Sequence, residues 1–123
     1  MTVLDDPAPG ALARRNRLKY LASARELIET NLKAPLGMAT LAKETGVSSR
    51  TLGYVFREAL DTTPTNYVKA RRLIAARKEL LKANPVESAV TAIANDYEFT
   101  HLSYFSRDYK AQFGELPSET LRG

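Results

Sequence analysis

MATLAKETGVSSRTLGYVFREAL, residues 38–60, reads as a short helix, a tight corner and a longer helix. Leu41 and Ala42 face inward on the short helix, and Gly46 closes it, because glycine supplies the left-handed backbone that stops a helix. Val47 plugs the corner. Ser48 is a capping residue, whose hydroxyl accepts from the free amides of the helix that follows. From about Ser49 to Leu60 the apolar residues Leu52, Val55, Phe56, Ala59 and Leu60 recur at i, i+3, i+4, i+7 and i+8, one face of an amphipathic helix. A short helix, a three- or four-residue turn and a longer helix form the helix-turn-helix, whose second helix enters a DNA major groove. The same pattern also suits a helical hairpin in an ordinary bundle.

The pattern recurs. Moved 52 positions along the chain, Met38, Leu41, Ala42 and Val47 fall on Val90, Ile93, Ala94 and Phe99, and Ser48 falls on Thr100. Beyond that point a shift of 53 fits better, placing Leu52, Phe56, Leu60 and Pro64 on Phe105, Tyr109, Phe113 and Pro117. Val55 meets Asp108 and Ala59 meets Gln112, so the match is imperfect. Two copies of one unit, the second longer by one residue, is the economical reading. Two such units in a short basic chain favour DNA over a plain bundle.

Between the copies, Thr63-Pro64 is a cap followed by proline at the first helical position. The helix opened there runs to about Lys82, with Tyr67, Ala70, Leu73, Ile74, Leu80 and Leu81 turned to the units and Lys69, Arg71, Arg72, Arg77 and Lys78 making it basic. Its length is about 28 Å at 1.5 Å per residue, against about 34 Å between successive major-groove faces on one side of a duplex. The expected organisation is all-α: a linker or tail over 1–13, a first helix-turn-helix subdomain over 14–63, a linker helix over 64–83 and a second subdomain over 84–123. Arg14, Arg15, Arg17, Lys19 and Arg25 precede the first acid of the opening helix, Glu26.

Composition narrows the chemistry. The chain of 123 residues holds no cysteine, which excludes disulfides, thiolate metal sites and cysteine nucleophiles. Its single histidine, His101, cannot form an imidazole cluster. A triad of Asp96, His101 and Ser103 fails on geometry, because two helical residues of spacing put Ser103 about 200° around the axis from His101. No glycine-rich phosphate loop or carboxylate cluster is present, so neither an enzyme, a metal nor a cofactor is expected. No apolar run reaches the roughly 18 residues of a membrane span. Eighteen Lys and Arg against fourteen Asp and Glu give a net charge of +4, which favours a polyanionic partner.

The segment from LAKETGVSSRTLGYVFREAL through VTAIANDYEF and HLSYFSRDYKAQFGELPSE resembles the DNA-binding domain of AraC/XylS-family transcription regulators, over about Arg17 to Leu121. The shared motifs are Leu41-Ala42, Gly46-Val47-Ser48, Leu52 and Phe56, Pro64 and Tyr67, Arg72-Leu73, Ile93-Ala94, Phe99, the run Ser103 to Arg107, Lys110, Gly114 and Pro117-Ser118. The resemblance implies about seven helices, two helix-turn-helix units bridged by a long helix, and binding to promoter DNA. It also implies a bacterial, cytoplasmic protein held at the nucleoid when bound, RNA polymerase as a further partner, and an effector-binding or dimerisation domain outside this chain. The proline-containing start fits either a small regulator or a fragment cut at a linker. Three residues depart from the family pattern. Asp61 and Glu98 stand where glycine is usual, and either they adopt positive φ, at a cost on the order of 1 kcal/mol, or the turns differ. Tyr54 stands where arginine is frequent.

With Leu52 and Phe56 inward, the outer face of the first recognition helix is Ser49, Arg50, Gly53, Tyr54 and Arg57. The repeat places Leu102, Ser103, Ser106, Arg107 and Lys110 on the second. Arg50 and Arg107 have the fork that suits guanine O6 and N7. Gly53 permits a close approach of backbone, and Leu102 is either a contact to a thymine methyl or simply exposed. Ser49, Tyr54, Ser103 and Ser106 complete the base-reading set. Arg57, Lys69, His101, Lys110 and the arginines placed before the first helix are assigned to phosphate, which positions without specifying. Amides at the helix starts near Gly37, Ser88 and Thr100 add anion donors. The rival reading is a helical protein-interaction module with a basic docking face.

Overall fold

A computed structural model describes residues 14–86 and 88–123. Residues 1–13, read above as a linker or tail, lie outside them. The described residues form helices α1 (Arg14–Glu29), α2 (Met38–Thr45), α3 (Ser49–Leu60), α4 (Pro64–Lys82), α5 (Ala89–Asp96), α6 (Leu102–Phe113) and α7 (Pro117–Arg122), with no strand among them. The chain divides into two compact units. Residues 14–31 with Leu36–Val68 make the first, and Leu32–Pro35 with Lys69–Gly123 make the second. The division falls inside α4, so the linker helix lends its first turn to one unit and the remainder to the other.

In the first unit α1, α2 and α3 all touch one another. Leu21, Ala24 and Ile28 of α1, Leu41 and Ala42 of α2, Val47 of the corner, and Leu52, Val55 and Phe56 of α3 are buried. Phe56 meets Tyr67 edge-on, ring centroids 5.4 Å apart, which docks the first turn of α4. Burying a side chain of this size contributes about 2 kcal/mol from apolar area alone. Gly46 takes φ 81° and Val47 N–H closes back on the Ala42 carbonyl at 3.2 Å. The Ser48 hydroxyl oxygen accepts from Thr51 N–H at 3.1 Å, the expected cap. Thr63 Oγ1 accepts from Asn66 N–H at 3.1 Å and opens α4 in the same manner.

The second unit repeats this with aromatic residues. Leu73, Ala76 and Leu80 of α4 pack with Ile93, Ala94, Tyr97, Phe105 and Tyr109, and α5, α6 and α7 touch pairwise. Phe99, Phe105, Tyr109 and Phe113 form a run of ring contacts with centroids 4.6 to 5.7 Å apart. The buried Tyr109 hydroxyl donates to Thr120 Oγ1 at 2.7 Å, and Thr120 donates in turn to Glu115. Residues 32–35 are tied to α4: Arg72 Nη2 donates to the Ala34 carbonyl at 2.6 Å and Lys33 Nζ lies 3.2 Å from Glu79. Arg72 is thereby half-buried, and burial lowers its pKa while Glu98 pulls it back up.

Four expectations need correction. Leu81 is 61% exposed, and Val68 and Ala76 are buried on α4 instead. Ala59 is exposed, lining an open cleft with Leu18 and Leu21 of α1. The arginines placed ahead of the first helix lie within α1, which begins at Arg14. The residue before α6 is His101, not Thr100. Phe99 N–H bonds the Ala94 carbonyl at 3.0 Å just as Val47 bonds Ala42, so Thr100 is itself the additional residue of the second copy. Asp61 and Glu98 both adopt the left-handed conformation, with φ 53° and 70°.

Candidate nucleic-acid interface

On α3, Ser49, Arg50 and Arg57 are exposed, and Gly53 and Tyr54 are partly so. All five lie on the flank beside the one that carries Leu52 and Phe56, which are fully buried. Helical spacing accounts for this: positions 49 and 50, 53 and 54, and 57 follow one another at three or four residues, on one flank of the helix. A methyl group placed on Gly53 would find nothing within 4 Å, so no packing within the chain requires glycine there. Arg57 lies 3.8 Å from Asp61, an exposed pair that leaves the guanidinium in water.

Tyr54 is held. Its hydroxyl donates to Glu58 Oε2 at 2.7 Å, and Glu58 Oε1 is 2.7 Å from Arg17 Nε of α1. The hydrogen bond to Glu58 raises the Tyr54 pKa above its ordinary value, desolvation and the Glu58 charge add to this, and Arg17 opposes it. Tyr54 therefore presents a neutral phenol. Glu58 escapes a reading of the sequence alone, since its partners are Tyr54 one turn back and a residue of α1. Arg17 and Arg25 are likewise engaged inside the unit, the latter donating from Nε to the Tyr67 hydroxyl at 3.1 Å.

On α6, Leu102, Ser103, Arg107 and Lys110 are exposed and Ser106 is partly so, on the flank beside the buried Phe105 and Tyr109. His101, at the N-cap, is exposed, and its ring meets Tyr104 edge-on at 5.3 Å. The Arg107 guanidinium lies over the same Tyr104 ring, 4.9 Å from its centroid. Asp108 Oδ1 accepts from Arg107 Nε at 3.3 Å, and Asp108 Oδ2 is 3.5 Å from Lys69 Nζ of α4. Lys69 thus faces a carboxylate on α6, with donors to spare for another anion. Tyr104 and Asp108 are the neighbours that the sequence reading overlooked. The signal was available in the spacing of His101, Tyr104 and Arg107 at i, i+3 and i+6.

The helix starts differ as anion sites. Ser48 caps α3, whereas Gly37, Ser88 and His101 make no side-chain cap bond at α2, α5 and α6. First-turn amides of those helices keep their donor capacity for an outside acceptor. Among the described residues there is no group of three or more His, Cys, Asp or Glu able to hold a metal ion. Among the described residues no helix is long and apolar enough to cross a membrane.

Residues 41–123 match the family described as helix-turn-helix domain. A probable thc operon regulatory protein of Rhodococcus erythropolis is 41% identical over 99 residues, covering 80% of this chain and 30% of that protein. The XylDLEGF operon transcriptional activator 3 of Pseudomonas putida is 40% identical over 97 residues, 79% of this chain and 29% of that protein. The chain spans about 30% of the length of these curated relatives. Among solved structures, a probable AraC family transcriptional regulator from Rhodopseudomonas palustris shares 36% identity with a TM-score of 0.76, over 84% of this chain and 94% of that one. An AraC-type transcriptional regulator from Chromobacterium violaceum shares 28% identity with a TM-score of 0.78, over 89% and 95%. The repeated units, their outward basic faces and these likenesses agree: the chain belongs to the AraC family of transcriptional regulators and forms a helix-turn-helix DNA-binding domain.

Proposed function

We propose that the domain reads a bipartite promoter site in double-stranded DNA, with α3 and α6 as recognition helices in adjacent major grooves. The observation that carries this reading is the matched pair of outer faces: Ser49, Arg50, Gly53, Tyr54 and Arg57 on α3, and Leu102, Ser103, Ser106, Arg107 and Lys110 on α6. Arg50, one residue inside the start of α3, reads a guanine edge, and Arg107 reads another. Tyr54 and Leu102 supply apolar contact to bases, and Ser49, Ser103 and Ser106 supply short polar contacts. Arg57, Lys69, His101 and Lys110 grip phosphate and set register.

The whole regulator is a larger proposition. RNA polymerase is its further partner, and effector binding or dimerisation belongs to chain beyond this domain. It acts in the cytoplasm, on the nucleoid.

Titration of labelled promoter-type duplex at two salt concentrations tests the reading. The expected result is a steep loss of affinity with salt and at least about a thousandfold preference over random duplex. Equal affinity for random duplex overturns it.

A further inference from the structure

Arg107 is more constrained than an exposed arginine need be. It is 67% exposed at the side chain, yet two neighbours define its place. The Tyr104 ring supports the guanidinium face at 4.9 Å, and the Asp108 carboxylate takes the Nε proton at 3.3 Å. The second oxygen of that carboxylate faces Lys69 of α4 at 3.5 Å, so the support is anchored to a neighbouring helix. Tyr104 is itself 56% exposed and lies outside the core cluster of its unit. The repeat sharpens the point: the residues matching Tyr104 and Asp108 in the first unit are Thr51 and Val55, both buried.

A guanidinium has one edge at Nε and another at the two Nη groups. With Nε bonded to Asp108 and one ring face covered, the donors left to an outside ligand are the Nη pair. Two parallel N–H groups match guanine O6 and N7. An unsupported arginine samples many rotamers, and fixing them on binding costs side-chain entropy. Support ahead of binding removes part of that cost and narrows the set of bases that can be met.

We infer that Tyr104 and Asp108 are positioning residues that aim the Nη edge of Arg107, and that they thereby set the preference of α6 for guanine at one base pair. This rests on the DNA-reading function proposed above. Neither residue need touch a base. Asp108 also discourages binding at the wrong place, because a carboxylate beside the reading arginine repels phosphate wherever no base accepts the Nη donors.

The test is enrichment of sequences from a randomised duplex library by the wild-type domain and by Arg107→Ala, Tyr104→Ala, Tyr104→Phe and Asp108→Ala. Arg107→Ala identifies the base position served by Arg107. Tyr104→Ala and Asp108→Ala are expected to flatten preference at that same position by about tenfold, within the range for a bidentate contact, and to leave other positions unchanged. Tyr104→Phe keeps the ring and is expected to retain the wild-type preference. In an Arg107→Ala background Tyr104→Ala is expected to add nothing, and this non-additivity separates positioning from a general structural role. The inference is overturned if Tyr104→Ala and Asp108→Ala keep the preference at the Arg107 position, or if they change all positions alike. A wild-type domain that enriches no sequence overturns the DNA-reading function and this inference with it.

Discussion

Tyr54 and Glu58 stand one turn apart on α3, joined by a 2.7 Å hydrogen bond from phenol to carboxylate. Glu58 is also paired with Arg17 of α1, so Tyr54 is coupled to the body of its unit. Glu58→Ala is expected to bring the Tyr54 pKa down toward its ordinary value, since the bond to Glu58 is the largest cause of its elevation and Arg17 acts the other way. Titration of the Tyr54 ring resonances measures this. Stability should change little, as for exposed pairs. An unaltered titration would show that the bond does not persist in solution.

Gly53 separates stability from recognition. An added methyl meets nothing in the protein, and alanine is favoured over glycine in a helix by about 1 kcal/mol. Gly53→Ala is therefore expected to raise the thermal midpoint. If α3 brings its backbone close to a groove wall, the same methyl weakens binding to the preferred duplex by roughly tenfold, about 1.4 kcal/mol. Thermal melting and duplex titration on one preparation decide both halves. Higher stability with unchanged affinity would remove Gly53 from the interface.

The fold was legible where apolar spacing and punctuation agreed. Gly46, Ser48, Thr63 and Pro64 bound their helices as read, because each acts through its own backbone or a neighbour within three residues. Leu80 and Leu81 show the limit: adjacent residues point about 100° apart on a helix, and spacing alone does not say which one meets a partner. Thr100 and His101 show another. An inserted residue is placed by the Phe99 to Ala94 backbone bond, which composition does not reveal. On the site, the outer faces followed from the buried ones, whereas Glu58, Tyr104 and Asp108 came into view only through the partners they hold.

A hydrogen-bonded pair in the second unit makes a pH prediction. Tyr97 donates to Glu79, which also faces Lys33. Burial raises the Tyr97 pKa, with the Glu79 bond and the charges of Glu79 and Asp96 adding to it. The Tyr97 bond is the main cause that lowers the Glu79 pKa, against a smaller opposing effect of burial. A raised phenol stabilises below its unfolded pKa and loses that contribution as pH rises through the folded value. A depressed carboxylate stabilises above its unfolded pKa and loses that contribution as pH falls through the folded value. Tyr97→Phe is thus expected to destabilise by about 1 kcal/mol on a plateau from about pH 5 to pH 9, with the difference shrinking outside it. Denaturant unfolding of both proteins across pH measures this, and a difference that keeps growing beyond either end would contradict it.

Lys110 is assigned to phosphate and Arg107 to a base. Lys110→Ala is expected to weaken all duplexes to a similar degree and to reduce the salt slope by about one. Affinities for preferred and random duplex at several salt concentrations check this. A selective loss for the preferred duplex would move Lys110 into the base-reading set.

The central claim is that α3 and α6 read two separate parts of one site. Comparing the sites enriched from random duplex by wild type, Arg50→Ala and Arg107→Ala tests it most directly. The account predicts two blocks of preferred bases about one helical turn apart, roughly 10 base pairs, with Arg50→Ala relaxing one block and Arg107→Ala the other. A single block, or both variants relaxing the same bases, would contradict it.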